Sequence, residues 1–317
     1  MLLTSKNTHG AHRQRSAGVQ ILSAGTRCSR TLPTVPKTPP STRAHVTADS
    51  RRWPAAAAAY TALGAGAYRA SALTRGPWDA AHQHAGPPIA LLAREILALA
   101  ATAGYTRLAR ITANLLRPVP LARLAVRVEA GYAGRAFAHY GATLLDEERE
   151  LVRATALVRR ASDPALPEPM RTPQPPATVA ASAPEQFPFA DAEPGYHSLV
   201  EARVAAGRMF SGPCAVWLRM RHPLVAGETP GGVERALVAA DSANGVSAVL
   251  DYRRFLFVNS DLTVNFLREP AGEWICLDAE TWIGPDGGGL AEGRLYDEEG
   301  LVGRCTQSLA VRRRESS

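Results

Sequence analysis

The chain has 317 residues, enough for two domains of ordinary size that each bury a core. Its net charge of +7 invites a nucleic-acid partner, but residues 1–53 hold nine Lys/Arg against the single acid Asp49, so the rest of the chain sums to about −1. The basic character belongs to the tail and not to the body, which argues against nucleic acid.

Residues 1–53 are rich in Ser, Thr, Pro and Arg with few periodic apolar residues. They read as a disordered basic tail, an Arg/Ser-rich transit peptide, or a start site placed too far upstream. Residues 54–160 make a first domain. In it, Gly86-Pro87-Pro88 opens a helix predicted to run to about Gly104, with proline tolerated in the first turn and glycine beyond the end. Ile89, Leu92, Ala93, Ile96 and Ala100 form one face, and Leu91, Ala98 and Leu99 make the other apolar as well, the pattern of a helix buried on most sides. Arg94 and Glu95 interrupt this stretch, so it is no membrane span. Strands follow: Leu124, Val126 and Val128 face one way, Arg127 and Glu129 the other.

Residues 161–188 have the Pro/Ala/Ser-rich composition of a linker, and 189–317 form the second domain, with a helix predicted over 229–240. There Ile275, Leu277 and Ala279 point inward, while Asp278 and Glu280 point outward. Turns fall at 146–148, 284–289 and 297–300. Four cysteines (Cys28, Cys214, Cys276, Cys305) lie far apart without CxxC pairs, so the sequence points to a reducing, cytoplasmic setting.

The two domains are copies. Thr112, Asn114, Leu116 and Arg117 recur as Thr263, Asn265, Leu267 and Arg268, each 151 positions on. The same shift carries Glu129 to Glu280, Leu144 to Leu295, Asp146-Glu147-Glu148 to Asp297-Glu298-Glu299, and Arg153 to Arg304. One helix followed by antiparallel strands defines an α+β domain. The order matches the hot-dog arrangement, an antiparallel sheet wrapped around a central helix, here in tandem as a double hot dog. Hot-dog sheets pair edge to edge, which would make a homodimer of the double unit.

The familiar catalytic signatures GxSxG, HExxH and the P-loop are absent. His82 and His84 have no further ligands at metal-binding spacing, so no metal is expected. The copies differ informatively. In the last strand Gln307 stands where the first copy has Ala156, and a buried amide requires polar company. Asp241, at the end of the second helix's apolar stretch, is expected to correspond to no carboxylate in the first copy. A satisfied core glutamine and a solvated helix-end acid are the plain alternatives.

VAADSANG (238–245), FVNSDLTVNFLREP (257–270), EWICLDAETWIGPDG (273–287) and EGLVGRCTQSLAVR (299–312) resemble the C-terminal half of acyl-CoA thioesterase II-like proteins. HQHAGPPIALLARE (82–95) resembles the N-terminal helix of that family's actinobacterial-type branch. The resemblance covers 60–312. It implies an acyl-CoA substrate, a place in lipid metabolism, no cofactor, and a water held by an Asp, a Gln and a Thr or Ser. The Asp falls on Asp241 and the Gln on Gln307. The hydroxyl position falls on Asn259, a departure for which Ser260 or Thr263 could substitute. Asp241 would act as base or water-orienting group, with N–H groups near a helix start polarising the carbonyl. Arg268 is a candidate for the CoA phosphates, although its twin Arg117 points to a structural role. Two other readings stay open: a degenerate module that binds acyl-CoA or an acyl carrier without turnover, and a hot-dog enoyl-CoA hydratase using Asp79 and His84.

Overall fold

The computed structural model describes residues 58–166, 171–190 and 193–314, all within one compact unit. The basic tail 1–53 lies outside the described residues. The first half contributes β1 (Tyr60–Gly64), β2 (Ala67–Ala70), α1 (Gly86–Ala101), β3 (Arg107–Leu115), β4 (Arg123–Ala133), β5 (Phe137–Asp146) and β6 (Arg149–Arg159). The second contributes β7 (Ala183–Glu185), α2 (Tyr196–Leu199), β8 (Val200–Gly207), β9 (Cys214–Met220), α3 (Gly232–Ala240), α4 (Ala243–Val246), β10 (Phe255–Asn259), β11 (Asp261–Phe266), β12 (Trp274–Ile283), β13 (Gly288–Asp297) and β14 (Gly300–Arg313). The molecule is therefore mostly antiparallel sheet with few helices. One sheet runs β1-β2-β4-β5-β6-β3-β11-β14-β13-β12-β9-β8-β7, and β10 adds to β14.

The halves join where β3 pairs antiparallel with β11, and Thr112 lies opposite Thr263. Their hydroxyls are 3.0 Å apart, and the two residues are separated by 151 positions, the shift of the repeat. Antiparallel pairing of two copies of one strand creates a local two-fold axis, and the residue on it must meet its own counterpart. The offset seen in the sequence is thus the distance between a residue and its symmetry mate.

Both helices lie in the core. Ile89, Leu91, Leu92 and Ile96 of α1 are fully buried, each contributing on the order of 1.5–3 kcal/mol. α1 packs on β3–β6 and on α3, and α3 packs on β9, β12 and β13. The expected burial all round α1 holds for its first turns, which pack on these elements. It fades at Ala98 and Leu99, which are exposed, and the helix ends at Ala101 rather than Gly104. The second helix begins at Gly232, three residues later than the pattern indicated. At Gly232 a Cβ would lie 2.0 Å from the Pro270 carbonyl oxygen, so only glycine lets the chain pass.

Part of the Pro/Ala-rich stretch is tied to the second half. Leu301 N–H donates to Pro173 O at 3.0 Å, and the buried indole of Trp217 donates to Ala177 O at 2.8 Å. Trp217 is fully buried, so its N–H requires an acceptor, and this segment's backbone supplies one.

Candidate active site

α3 stops at Ala240 because the chain turns at Asp241, leaving helix-end carbonyls without intrahelical donors. Gln307 on β14 fills part of that need. Its Nε2 donates to the Asp241 carbonyl at 3.1 Å and to Asp241 Oδ1 at 3.2 Å. Its Oε1 accepts the Asn244 N–H at 3.0 Å, at the start of α4. The amide is fully buried and bonded at both ends. Gln307 therefore stitches α3 to α4 and also touches the Asp241 carboxylate, combining the structural and the polar-site readings of this residue.

Asn259, at the end of β10, donates from Nδ2 to Asp241 Oδ1 at 2.8 Å. The three residues singled out from the sequence thus meet in one cluster. Neither substitute for the hydroxyl joins it. Ser260 is exposed and donates to Ser308 O, while Thr263 is engaged with Thr112.

A fourth member comes from the first half. His84, two residues before α1, places Nδ1 2.8 Å from Asp241 Oδ2, with only 12% of its side chain exposed. Its ring stacks on Tyr196 at 3.7 Å and 6°. The Tyr196 hydroxyl donates to Val238 O and is shared with Ser242 Oγ, both at 2.8 Å. Burial, with the Asp241 charge adding to it against the Ser242 hydrogen bond, lifts the Tyr196 phenol well above its ordinary range, so Tyr196 is a neutral wall. Of the two residues in the hydratase reading, Asp79 faces His82 at 3.0 Å and His84 faces Asp241. Neither Tyr196 nor Ser242 was singled out individually beforehand. The pairing of His84 with Asp241 left no trace at any local spacing.

The described cysteines are buried and unpaired, and burial, then the Asp241 charge, pushes the Cys305 thiol up to about 12. A thiol so disposed is not a nucleophile. Among the described residues no group of three or more His, Cys, Asp or Glu side chains is placed to hold a metal ion. Arg268 is spoken for: it forms a bidentate pair with Asp297, whose side chain is 1% exposed, at 2.6 Å for one arm, and donates to Gly300 O at 3.2 Å. An open cavity of about 450 Å³ is lined by Phe187, His197, Ser198, Arg221 and others. Asp241, Asn259 and Gln307 are not among its walls, but the Phe187 ring meets Tyr196 edge-on at 5.9 Å, one ring away from His84.

The profile of the acyl-CoA thioesterase N-terminal domain matches residues 74–159, and that of the C-terminal domain matches 171–311. The chain belongs to this acyl-CoA thioesterase family. Solved structures share the fold. A protein provisionally described as a thioesterase II from Thermobifida fusca YX superposes with a TM-score of 0.64 at 16% identity, over 80% of this chain and 95% of that one. A hot-dog protein of unknown function from Alicyclobacillus acidocaldarius gives 0.60 at 14% over 81% and 96%. An acyl-CoA thioesterase II from Mycobacterium marinum gives 0.54 at 17% over 81% and 96%. No curated protein matches. Among the described residues no helix is long and apolar enough to cross a membrane.

Proposed function

We propose that the protein hydrolyses fatty acyl-CoA thioesters at the Asp241 cluster. The observation that carries this reading is the convergence of Asp241, Gln307 and Asn259 within 3.2 Å hydrogen bonds at the end of α3. A thioester is already activated, so turnover needs an oriented water, a proton acceptor and a donor for the developing oxyanion, and no cofactor. In this reading each copy's sheet curls around its own helix; the second copy carries Asp241, Gln307 and Asn259, and the first adds His84. The cavity beside Phe187 would hold a distal part of the substrate. The three buried free cysteines accord with a reducing, cytoplasmic setting.

The test follows thiol release by the full chain from short, medium and long acyl-CoAs, alongside Asp241→Ala and Gln307→Ala. The expected outcome is turnover that falls about 10²–10⁴-fold in Asp241→Ala while the thermal melt stays cooperative. Acyl-CoA bound without thiol release would instead make the protein a binding module.

A further inference from the structure

The Asp241 cluster leaves little capacity to take up a proton from water. Oδ1 accepts from both Asn259 Nδ2 and Gln307 Nε2, which occupies its two lone pairs. Gln307 directs its amide group at the Asp241 carbonyl and carboxylate, and its Oε1 already accepts from Asn244. Asp241 Oδ2 faces His84 Nδ1 at 2.8 Å. A carboxylate oxygen at that distance requires the proton on Nδ1, so in the neutral ring the lone pair lies on Nε2. Among the described residues Nε2 makes no hydrogen bond, and 12% of the side chain is exposed.

The same proton placement frees a second group. Gly86 N–H lies 3.3 Å from Nδ1, but a protonated Nδ1 has no lone pair to offer it. Pro87 and Pro88 carry no N–H, and the Ile89 N–H is engaged by Ala85 O at 3.1 Å. Gly86 is therefore the one unengaged backbone donor in the first turn of α1, where the helix dipole favours negative charge.

We propose that His84 is the general base, with Asp241 as its orienting carboxylate and the Gly86 N–H as an oxyanion donor: a His–Asp dyad assembled from the two copies. The proposal rests on the thioesterase reading. Water gives a proton to His84 Nε2 as its oxygen bonds to the thioester carbonyl carbon, and the carbonyl electron pair moves onto the oxygen facing Gly86. Collapse re-forms the C=O bond and breaks the C–S bond, and the thiolate takes the proton back from Nε2–H. The products are a carboxylic acid and free thiol, and the imidazole returns neutral. Asp241 steadies the imidazolium between the two steps. The Tyr196 stack, anchored through its hydroxyl, holds the ring plane.

Two substitutions at position 84 separate the base from a merely structural partner. Asn in His84→Asn keeps an N–H near the place of Nδ1 but has no Nε2. Gln in His84→Gln reaches toward the Nε2 position without a basic nitrogen. Both are expected to lose about 10²–10⁴-fold in kcat/KM for thiol release with melting temperature little changed. Either variant within about threefold of the parent overturns the assignment. Nitrogen-15 NMR of the imidazole reads the dyad independently of turnover and of variant folding. The Nδ1–H tautomer is expected in the parent, with that preference lost in Asp241→Asn, and an Nε2–H tautomer in the parent overturns it. A parent chain that releases no thiol at all fails the thioesterase reading itself, a different result from a working enzyme indifferent to His84.

Discussion

The two copies answer the same helical position in opposite ways. Counted from the first helical residue, Gly86 or Gly232, Glu95 and Asp241 are both tenth. The strand-based shift of 151 hides this match, because the second copy has five more residues between helix start and paired strand. In the first copy the helix runs on past Glu95, whose carboxylate is tied to the Tyr68 hydroxyl at 2.7 Å and to Arg94, which also grips Glu228. In the second the helix breaks at Asp241, and Gln307 enters where the sister strand has the methyl of Ala156. The expectation that Asp241 has no counterpart carboxylate is thus corrected: the counterpart exists but is locked in a salt-bridge network. The difference lies in the partners available to each carboxylate.

The largest break of this comparison concerns the paired arginines. Arg268 neutralises Asp297 inside the fold, whereas its twin Arg117 donates to the Glu150 carbonyl at 2.6 Å on the exposed surface. Arg268→Met is expected to cost about 3–5 kcal/mol by stranding a buried charge. Arg117→Met should leave chemical denaturation almost unchanged, and equal losses would refute the asymmetry.

The same pair sets a dependence on pH. Burial raises the Asp297 carboxyl, and Arg268 with the N–H groups of Ala271 and Glu299 more than offsets this, so it sits below its ordinary value. In the unfolded chain the group titrates near about 3.9. Its stabilisation is therefore complete above that value and is lost as pH falls through the lower native one. Stability measured against pH should steepen below about 4 in the parent and flatten there in Asp297→Asn.

A swap at the last strand sharpens the contrast at smaller cost. Gln307→Ala should lose about 1–3 kcal/mol, because the buried Asn244 N–H and the Asp241 carbonyl lose their partner. Ala156→Gln should lose about 1–3 kcal/mol by overpacking and bring no thiol release from the first copy. Thermal melts and the thiol assay read both. The smallest effect belongs to the symmetry axis. Thr112→Val and Thr263→Val should each cost about 1 kcal/mol, and the double variant less than their sum, because no hydroxyl is then left unpaired.

Much of this was legible beforehand. The shift of 151, the helix opening at Gly86 and the inward parity of Ile275, Leu277 and Ala279 follow from local periodicity, which burial enforces residue by residue. Gln307 and Asp241 stood out because a duplicated chain carries its own control, and a polar residue in a sister's apolar position needs partners. The tie of Trp217 to the Pro-rich stretch was not legible, since composition reports how a segment behaves alone and not which buried donor will seek its carbonyl. Nor was the contact of His84 with Asp241. By itself the sequence determined the repeat, the core faces and two members of the polar cluster, because these depend on spacing along one strand or helix. Only the tertiary structure decided that the first copy's His84 meets the second copy's Asp241 and that Arg268 serves Asp297. Those contacts form where distant segments converge, and hydrogen bonds are decided by tenths of an ångström that no spacing encodes.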